Sequence, residues 1–358
     1  MIFYLLLFCL LSNSMVLSVS SDSTVDMSKS VVCFYNGLRS NCDPSYDDLD
    51  PNMIPDGCNY ILFIRFSINQ SSLIYVNDEL LKKTLRLNIP IILPVTREEN
   101  YSGWTALLSE DGNENDAKVL CDFAKTNNIK GYIFYNTAPG CNEATNKNIA
   151  KYIIPYLQQI KKFCPPGFII GLGISVDPNT LKNTDIYNFE ALNDVVTYYE
   201  LDTMELNKCN PKLYNGVTPI TTNASDGNSL RGLEDVVIDV KETAICFEKL
   251  VFSIPVFTVN NTDDSYPAYT KMCEGKTDKE SINNSCIQTS QNYYDKGKYL
   301  QALPAGITVS GLDWDDYGNT CKCKSAFNGF YNILAGYRSG SVIPCAMFDV
   351  QSTVYPIK

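Results

Sequence analysis

Short, almost wholly apolar runs recur along the chain, each followed by a stretch with helical periodicity, and this alternation limits the fold more than any other feature. The runs lie near Val31–Tyr35, Tyr60–Phe66, Ile89–Val95, Gly131–Asn136, Phe168–Ile174, Val195–Thr203, Leu250–Phe257 and Ile307–Leu312. Helical patterns separate them, as in Asp116–Thr126, Asn148–Phe163 and Leu233–Cys246, and a last one follows at Ser325–Arg338. A strand that is apolar on both faces belongs in a parallel sheet covered by helices. Eight such strands in 358 residues suit a single (β/α)8 TIM barrel, closed by right-handed crossovers. A doubly wound open sheet is the rival, but no GxGxxG follows the first strand to support dinucleotide binding. Two polar stretches interrupt the alternation, Pro211–Asn228 after the sixth strand and Asn260–Tyr294 after the seventh. In a barrel both are βα loops at the C-terminal rim, where sites are built. No internal repeat or flexible linker divides the chain, so one domain over residues 24–358 is expected.

The opening segment, residues 1–20, begins with eleven apolar residues and turns small and polar towards Ser18-Val19-Ser20. It reads as a signal peptide, although the usual basic start is missing. The alternative, an uncleaved anchor, would need an apolar run of about 20 residues. No later segment approaches that length, so the mature chain is expected to be secreted, extracellular and without a membrane span. Of the 14 cysteines, Cys9 leaves with the leader, and the odd remainder implies structural disulfides plus one thiol left over. Zinc is a poor rival, because there is no histidine and the only close pair is Cys321-Lys322-Cys323. Sequons at Asn69, Asn100, Asn223, Asn260 and Asn283 fit N-glycosylation of surface loops.

The net charge of −11 repels phosphate backbones and anionic head groups, so neither nucleic acid nor a membrane surface is expected as a partner. The complete absence of histidine removes Ser-His-Asp and Cys-His nucleophiles, histidine acid–base chemistry and most catalytic metal sites. No metal or cofactor is expected, and any hydrolysis would have to rest on carboxylates.

Five segments, in order along the chain, carry a resemblance. They are VVCFYNGL at Val31–Leu38, GCNYILFIRFSIN at Gly57–Asn69, EKLVFSIPVF at Glu248–Phe257, AYTKMCE at Ala268–Glu274 and GLDWDDYGNTC at Gly311–Cys321. Together they resemble the first, second and seventh strands, the insertion after the seventh, and the eighth-strand exit of family 18 chitinases and chitinase-like proteins. The resemblance implies a (β/α)8 barrel with a shortened insertion, here residues 259–296. It also implies that Cys33 pairs with Cys58, and Cys273 with Cys321 or Cys323.

Enzymes of that family cleave β-1,4-linked N-acetylglucosamine with the substrate's acetamide as nucleophile, an exception to the two-carboxylate scheme. One glutamic acid protonates the leaving oxygen, and nearby aspartates raise its pKa. The motif is DxxDxDxE at the end of the fourth strand. Here Gly131 and Pro139 hold the register, and the aspartate positions carry Lys130, Ile133 and Tyr135 while the glutamate position carries Thr137. A threonine hydroxyl is no general acid near neutral pH. The resemblance implies further losses. The third strand's Ser-x-Gly-Gly is Leu93-Pro94-Val95-Thr96, the eighth strand's tryptophan falls at Ser310, and Thr258–Asn261 holds no counterpart of the family's arginine. The sixth strand's Met-x-Tyr-Asp aligns with Glu205-Leu206-Asn207-Lys208.

The acidic run Asp313-Trp314-Asp315-Asp316 matches the family's structural eighth-strand exit, and Glu143 reads as a solvated loop residue. Phe34 and Tyr135 are the candidate ligand-side aromatics, with barrel packing as their plainer role. Trp104 aligns with a helix aromatic, so no tryptophan-lined chitin cleft is expected. The sequence therefore points to a catalytically inactive, secreted chitinase-like protein that works by binding an extracellular protein partner or a glycan. A lectin for chito-oligosaccharides and a hydrolase with rearranged acids are the alternatives. Between lectin and protein ligand, an extracellular protein partner is favoured, because Ser310 and Lys130 strip the platform and the polar wall from the old cleft.

Overall fold

The computed structural model describes residues 25–36, 49–140, 143–210, 216–222, 230–277 and 279–349. The leader at 1–20 and the sequon at Asn223 lie outside the described residues. Eight parallel strands close into a barrel: β1 (Val31–Tyr35), β2 (Tyr60–Phe63), β3 (Ile91–Val95), β4 (Gly131–Phe134), β5 (Ile169–Ile174), β6 (Tyr198–Leu201), β7 (Leu250–Pro255) and β8 (Gly306–Ser310). Each pairs with the next, and β8 closes on β1 with Cys33 opposite Val309. The expected barrel is present, with each strand within a few residues of its expected bounds.

The period of two along each strand sends alternate side chains inward. Val32, Leu62, Ile92, Ile133, Ile169, Tyr198 and Val251, one from each of the first seven strands, pack together inside the barrel with Met27. The neighbouring residues face outward against the helices, which is why the strands read as unbroken apolar runs. Helices α1 (Asp78–Leu85), α2 (Asn100–Leu107), α3 (Glu114–Thr126), α4 (Asn148–Phe163), α5 (Leu233–Lys241), α6 (Ser290–Gln301) and α7 (Asn328–Tyr337) cover the sheet. In α4 the buried residues Ile149, Ile153, Tyr156, Leu157 and Ile160 form one stripe at helical spacing. Burying each such aliphatic side chain stabilises the fold by about 1.5–3 kcal/mol. α3 begins at Asn113, whose side chain accepts a hydrogen bond from the Asp116 amide and satisfies one unpaired donor of the first turn.

Beneath α2 lies a charged network with no exposure to water. The Arg97 guanidinium meets both oxygens of Asp116, and Asp116 also accepts hydrogen bonds from Tyr156 (2.6 Å) and Ser72 (2.5 Å). The guanidinium lies 4.7 Å from the centre of the Trp104 ring. This cluster joins the loop after β3 to α3 and α4.

The expected disulfides form. Cys33 pairs with Cys58, and Cys273 pairs with Cys321 rather than Cys323, which pairs instead with Cys345. Cys121–Cys164 ties α3 to the end of α4, and Cys209–Cys286 ties the loop after β6 to the one after β7. Together, Cys209–Cys286 and Cys273–Cys321 staple the loops that leave β6, β7 and β8. Cross-links of this kind stabilise chiefly by restricting the unfolded chain, and here they also hold one sector of the C-terminal rim.

A second feature of that rim concerns Asp315 and Asp316, both buried. Asp315 accepts hydrogen bonds from the backbone amides of Gly329 and Phe330, so it caps α7. Asp316 accepts from the amides of Thr320 and Cys321. The acidic run is therefore structural, as its place in the sequence implies.

Candidate binding cleft

The mouth of the barrel is built from the residues that follow the inward-facing core along each strand. On β4 the alternation carries Ile133 into the core, Tyr135 to the top of the barrel and Thr137 into a cleft above it. Lys130 does not take part. It precedes β4 at the opposite end, is exposed, and donates to Asn128 at 2.6 Å. The view that Lys130 strips a wall of the cleft is thus corrected, because a residue ahead of a parallel barrel strand sits at the N-terminal face.

Tyr135 lies across the top of the barrel. Its hydroxyl donates to Glu200 Oε1 at 2.9 Å, and its carbonyl accepts from Trp104 Nε1 at 2.8 Å. The ring crosses β5 where that strand has glycine: a Cβ on Gly173 would stand 2.2 Å from Tyr135 Cδ1. Gly173→Ala must therefore displace the ring and break its bond to Glu200. The expected cost is about 1–3 kcal/mol, read as a lower urea midpoint, whereas Tyr135→Phe, which keeps the ring, costs about 1 kcal/mol. Equal midpoints for Gly173→Ala and the wild type would disprove the close approach.

Glu200 forms the floor. It is buried, and hydroxyls from three other strands converge on it: Tyr135 and Ser253 on Oε1, at 2.9 and 2.8 Å, and Thr308 on Oε2 at 2.9 Å. Burial pushes its carboxyl above the usual range, while the hydroxyls of Ser253, Tyr135 and Thr308 oppose the shift and the nearby Asp202 adds to it. Asp202 stands two residues further along, on the same side of the chain; its side chain is exposed at the mouth, and partial desolvation there raises its carboxyl too. The sixth-strand landmark expected at Glu205–Lys208 is corrected here: β6 ends at Leu201, so Glu200 and Asp202 occupy the mouth and Glu205 lies past it.

Above this floor is an open cleft of about 440 Å³. Phe34, Tyr135 and Tyr187 contribute aromatic surface to it, and Thr137 a hydroxyl. Phe34 also packs against the barrel core. Met204, on the cleft wall, belongs also to a rim cluster where Phe257, Tyr266 and Trp314 stack with centroids 5.2–6.1 Å apart. Tyr266 donates to Glu205 at 2.9 Å. Trp314 joins this rim cluster, brought there by the turn after β8, and Trp104 is buried under α2; neither lines the cleft. Ser310, at the family tryptophan's position, is buried at the end of β8.

Among the sequons, Asn100 and Asn283 are exposed and Asn69 is half-buried. Asn260 is a correction: it is buried, and its amide nitrogen donates to Ser281, so no glycan fits there without unfolding the loop. Glu143 is an exposed loop residue that accepts from the Gly140 amide, as expected. Glu200, Asp202 and Gly173 were missed by sequence reasoning. The signal for the first two was present, since Glu200 and Asp202 are the only charges in the run Val195–Thr203 and lie two apart.

No protein-family model matches the chain, and no curated protein matches it by sequence. Its fold is nevertheless shared with solved structures. Catalytic domain 2 of the group II chitinase of Ostrinia furnacalis aligns over 90% of this chain and 100% of its own, at 15% identity and a TM-score of 0.72. Human YKL-39, described as a pseudo-chitinase with retained chitooligosaccharide binding properties, covers 87% of this chain and 100% of its own, at 14% identity and a TM-score of 0.68. An immunomodulatory active chitinase from Trichuris suis matches at 12% identity, over 87% of this chain and 100% of its own, with a TM-score of 0.68. Such low identities establish the fold and nothing finer.

Proposed function

We propose that this chain, with the fold of the family 18 chitinases and chitinase-like proteins, is a secreted glycan-binding protein that does not hydrolyse its ligand. The observation that carries the reading is at the end of β4, where the cleft receives Thr137 and Tyr135 in place of carboxylic acids yet stays open. Hydrolysis needs a proton donor beside the leaving oxygen. Glu200 is a poor substitute, because it sits in the barrel floor with its oxygens taken by Tyr135, Ser253 and Thr308. Binding has what it needs: aromatic faces, a hydroxyl, and a concave space of the size that ligand sites use. The open mouth moves the balance from a protein partner to a glycan. Secretion is supported by the leader-like segment 1–20, by the disulfides between described cysteines, and by the absence of any helix long and apolar enough to cross a membrane among the described residues. Glycans at Asn69, Asn100 and Asn283 belong to the same proposal.

The test is calorimetric titration of the glycosylated protein with chitohexaose, followed by chromatography of the sugar after prolonged incubation. The expected result is saturable binding and an intact hexamer. Shortened products would overturn the non-hydrolytic reading. Absence of heat at millimolar sugar would overturn the chito-oligosaccharide reading and direct the search to protein partners.

A further inference from the structure

Resting on the glycan-binding reading, we propose that the cleft selects oligosaccharides whose 2-amino groups are free and protonated, the glucosamine oligomers of partly or fully deacetylated chitin, over fully N-acetylated chains. Three observations lead there. First, Glu200 and Asp202 both face the cleft, and none of the described residues that line it is basic. Glu205, next along the chain, adds a third carboxylate at the rim, held by Tyr266. A cleft whose described lining holds one buried carboxylate, Glu200, and one exposed carboxylate, Asp202, without a basic side chain is completed by a ligand that brings a cation.

Second, Thr137 is 3% exposed and lines the cleft, and its hydroxyl has no hydrogen-bond partner among the described residues. A buried hydroxyl left unpaired costs free energy that a ligand group can recover. Third, the aromatic faces of Phe34, Tyr135 and Tyr187 suit a pyranose ring better than a flexible aliphatic cation. The charge argument also separates the two forms of the sugar. An acetamide offers a neutral carbonyl acceptor and a single N–H donor to a mouth that carries carboxylates. An ammonium offers donors and positive charge to the same floor.

The experiment titrates the full-length protein, across a pH series from neutral to mildly acidic that spans protonated amines and ionised carboxylates, with the hexamers of glucosamine and of N-acetylglucosamine and with trilysine. The amino hexamer should bind about tenfold more tightly than the acetylated one, a modest fraction of one close charge pair at partial burial. Asp202→Asn should remove most of that preference, while Glu110→Gln, a change to an exposed carboxylate paired with Lys151 far along the chain, should leave it in place. Circular dichroism of each variant separates loss of preference from loss of fold, and Glu205→Gln supplies a second variant at the rim. Equal or tighter binding of the acetylated hexamer would overturn this inference and leave the glycan reading standing. Equally tight trilysine binding, or a preference that survives Asp202→Asn, would reduce the effect to the general acidity of the surface and also overturn it. Failure of both sugars to bind would sink the glycan reading itself.

Discussion

Asp116→Ala is expected to lower the stability of the protein by about 3–5 kcal/mol, the cost of leaving one member of a buried ion pair without its partner. Asp116 and Arg97 are both shielded completely from water. With Asp116 gone, the Arg97 guanidinium keeps its charge in a dry site and retains only Asn69 O and the Tyr156 hydroxyl as acceptors. The Tyr156 and Ser72 hydroxyls lose their acceptor as well. Urea denaturation followed by far-ultraviolet circular dichroism measures the change. The companion double variant, Arg97→Met with Asp116→Leu, removes both charges together and should be much closer to the wild type, because an apolar pair of similar volume carries no desolvation penalty. A single variant as stable as the wild type would mean that water reaches the pair.

Trp104→Ala is expected to cost about 3–5 kcal/mol, as for other large aromatic residues removed from a packed core. The ring is fully buried, stands edge-on to Phe134 and Tyr156, and supports the Arg97 guanidinium. Its effect reaches the cleft because its indole nitrogen donates to the carbonyl of Tyr135. Losing that bond frees the segment that carries Tyr135 and Thr137, so chitohexaose affinity should fall along with the urea midpoint. Trp104→Phe, which refills most of the volume without the donor, should recover most of the stability and less of the affinity. An affinity that follows stability in both variants would show that the Trp104 to Tyr135 bond does not position the cleft. Because Arg97 touches both Trp104 and Asp116, the two destabilisations should not add.

These two sites lie in the part of the fold that the sequence reveals least. The alternation of apolar strands with helices made the barrel legible, since burial on both faces leaves the same pattern wherever a parallel strand lies between helices. The register around Gly131 and Pro139 likewise placed Thr137 at the cleft, and local alternation carried it there. Glu200 escaped for the opposite reason. Its role depends on hydroxyls 65, 53 and 108 positions away, on Tyr135, Ser253 and Thr308, and no local pattern encodes such distances. The sixth-strand alignment slipped past the mouth because the polar residues after Leu201 offered no apolar run to anchor it.

The amino-acid sequence by itself determined the number and order of the strands and the absence of histidine chemistry. It also determined that the segment from Gly131 to Thr137 carries no carboxylate. All of these follow from residue type and short-range spacing. Only the tertiary structure decided that a cleft lies open among the described residues of the mouth, that Tyr135 rests over Gly173 onto Glu200, and that Trp314 joins Phe257 and Tyr266 at the rim. Barrel closure brings residues from distant strands to one end of the sheet, and the chemistry of that end belongs to the closure rather than to any one segment.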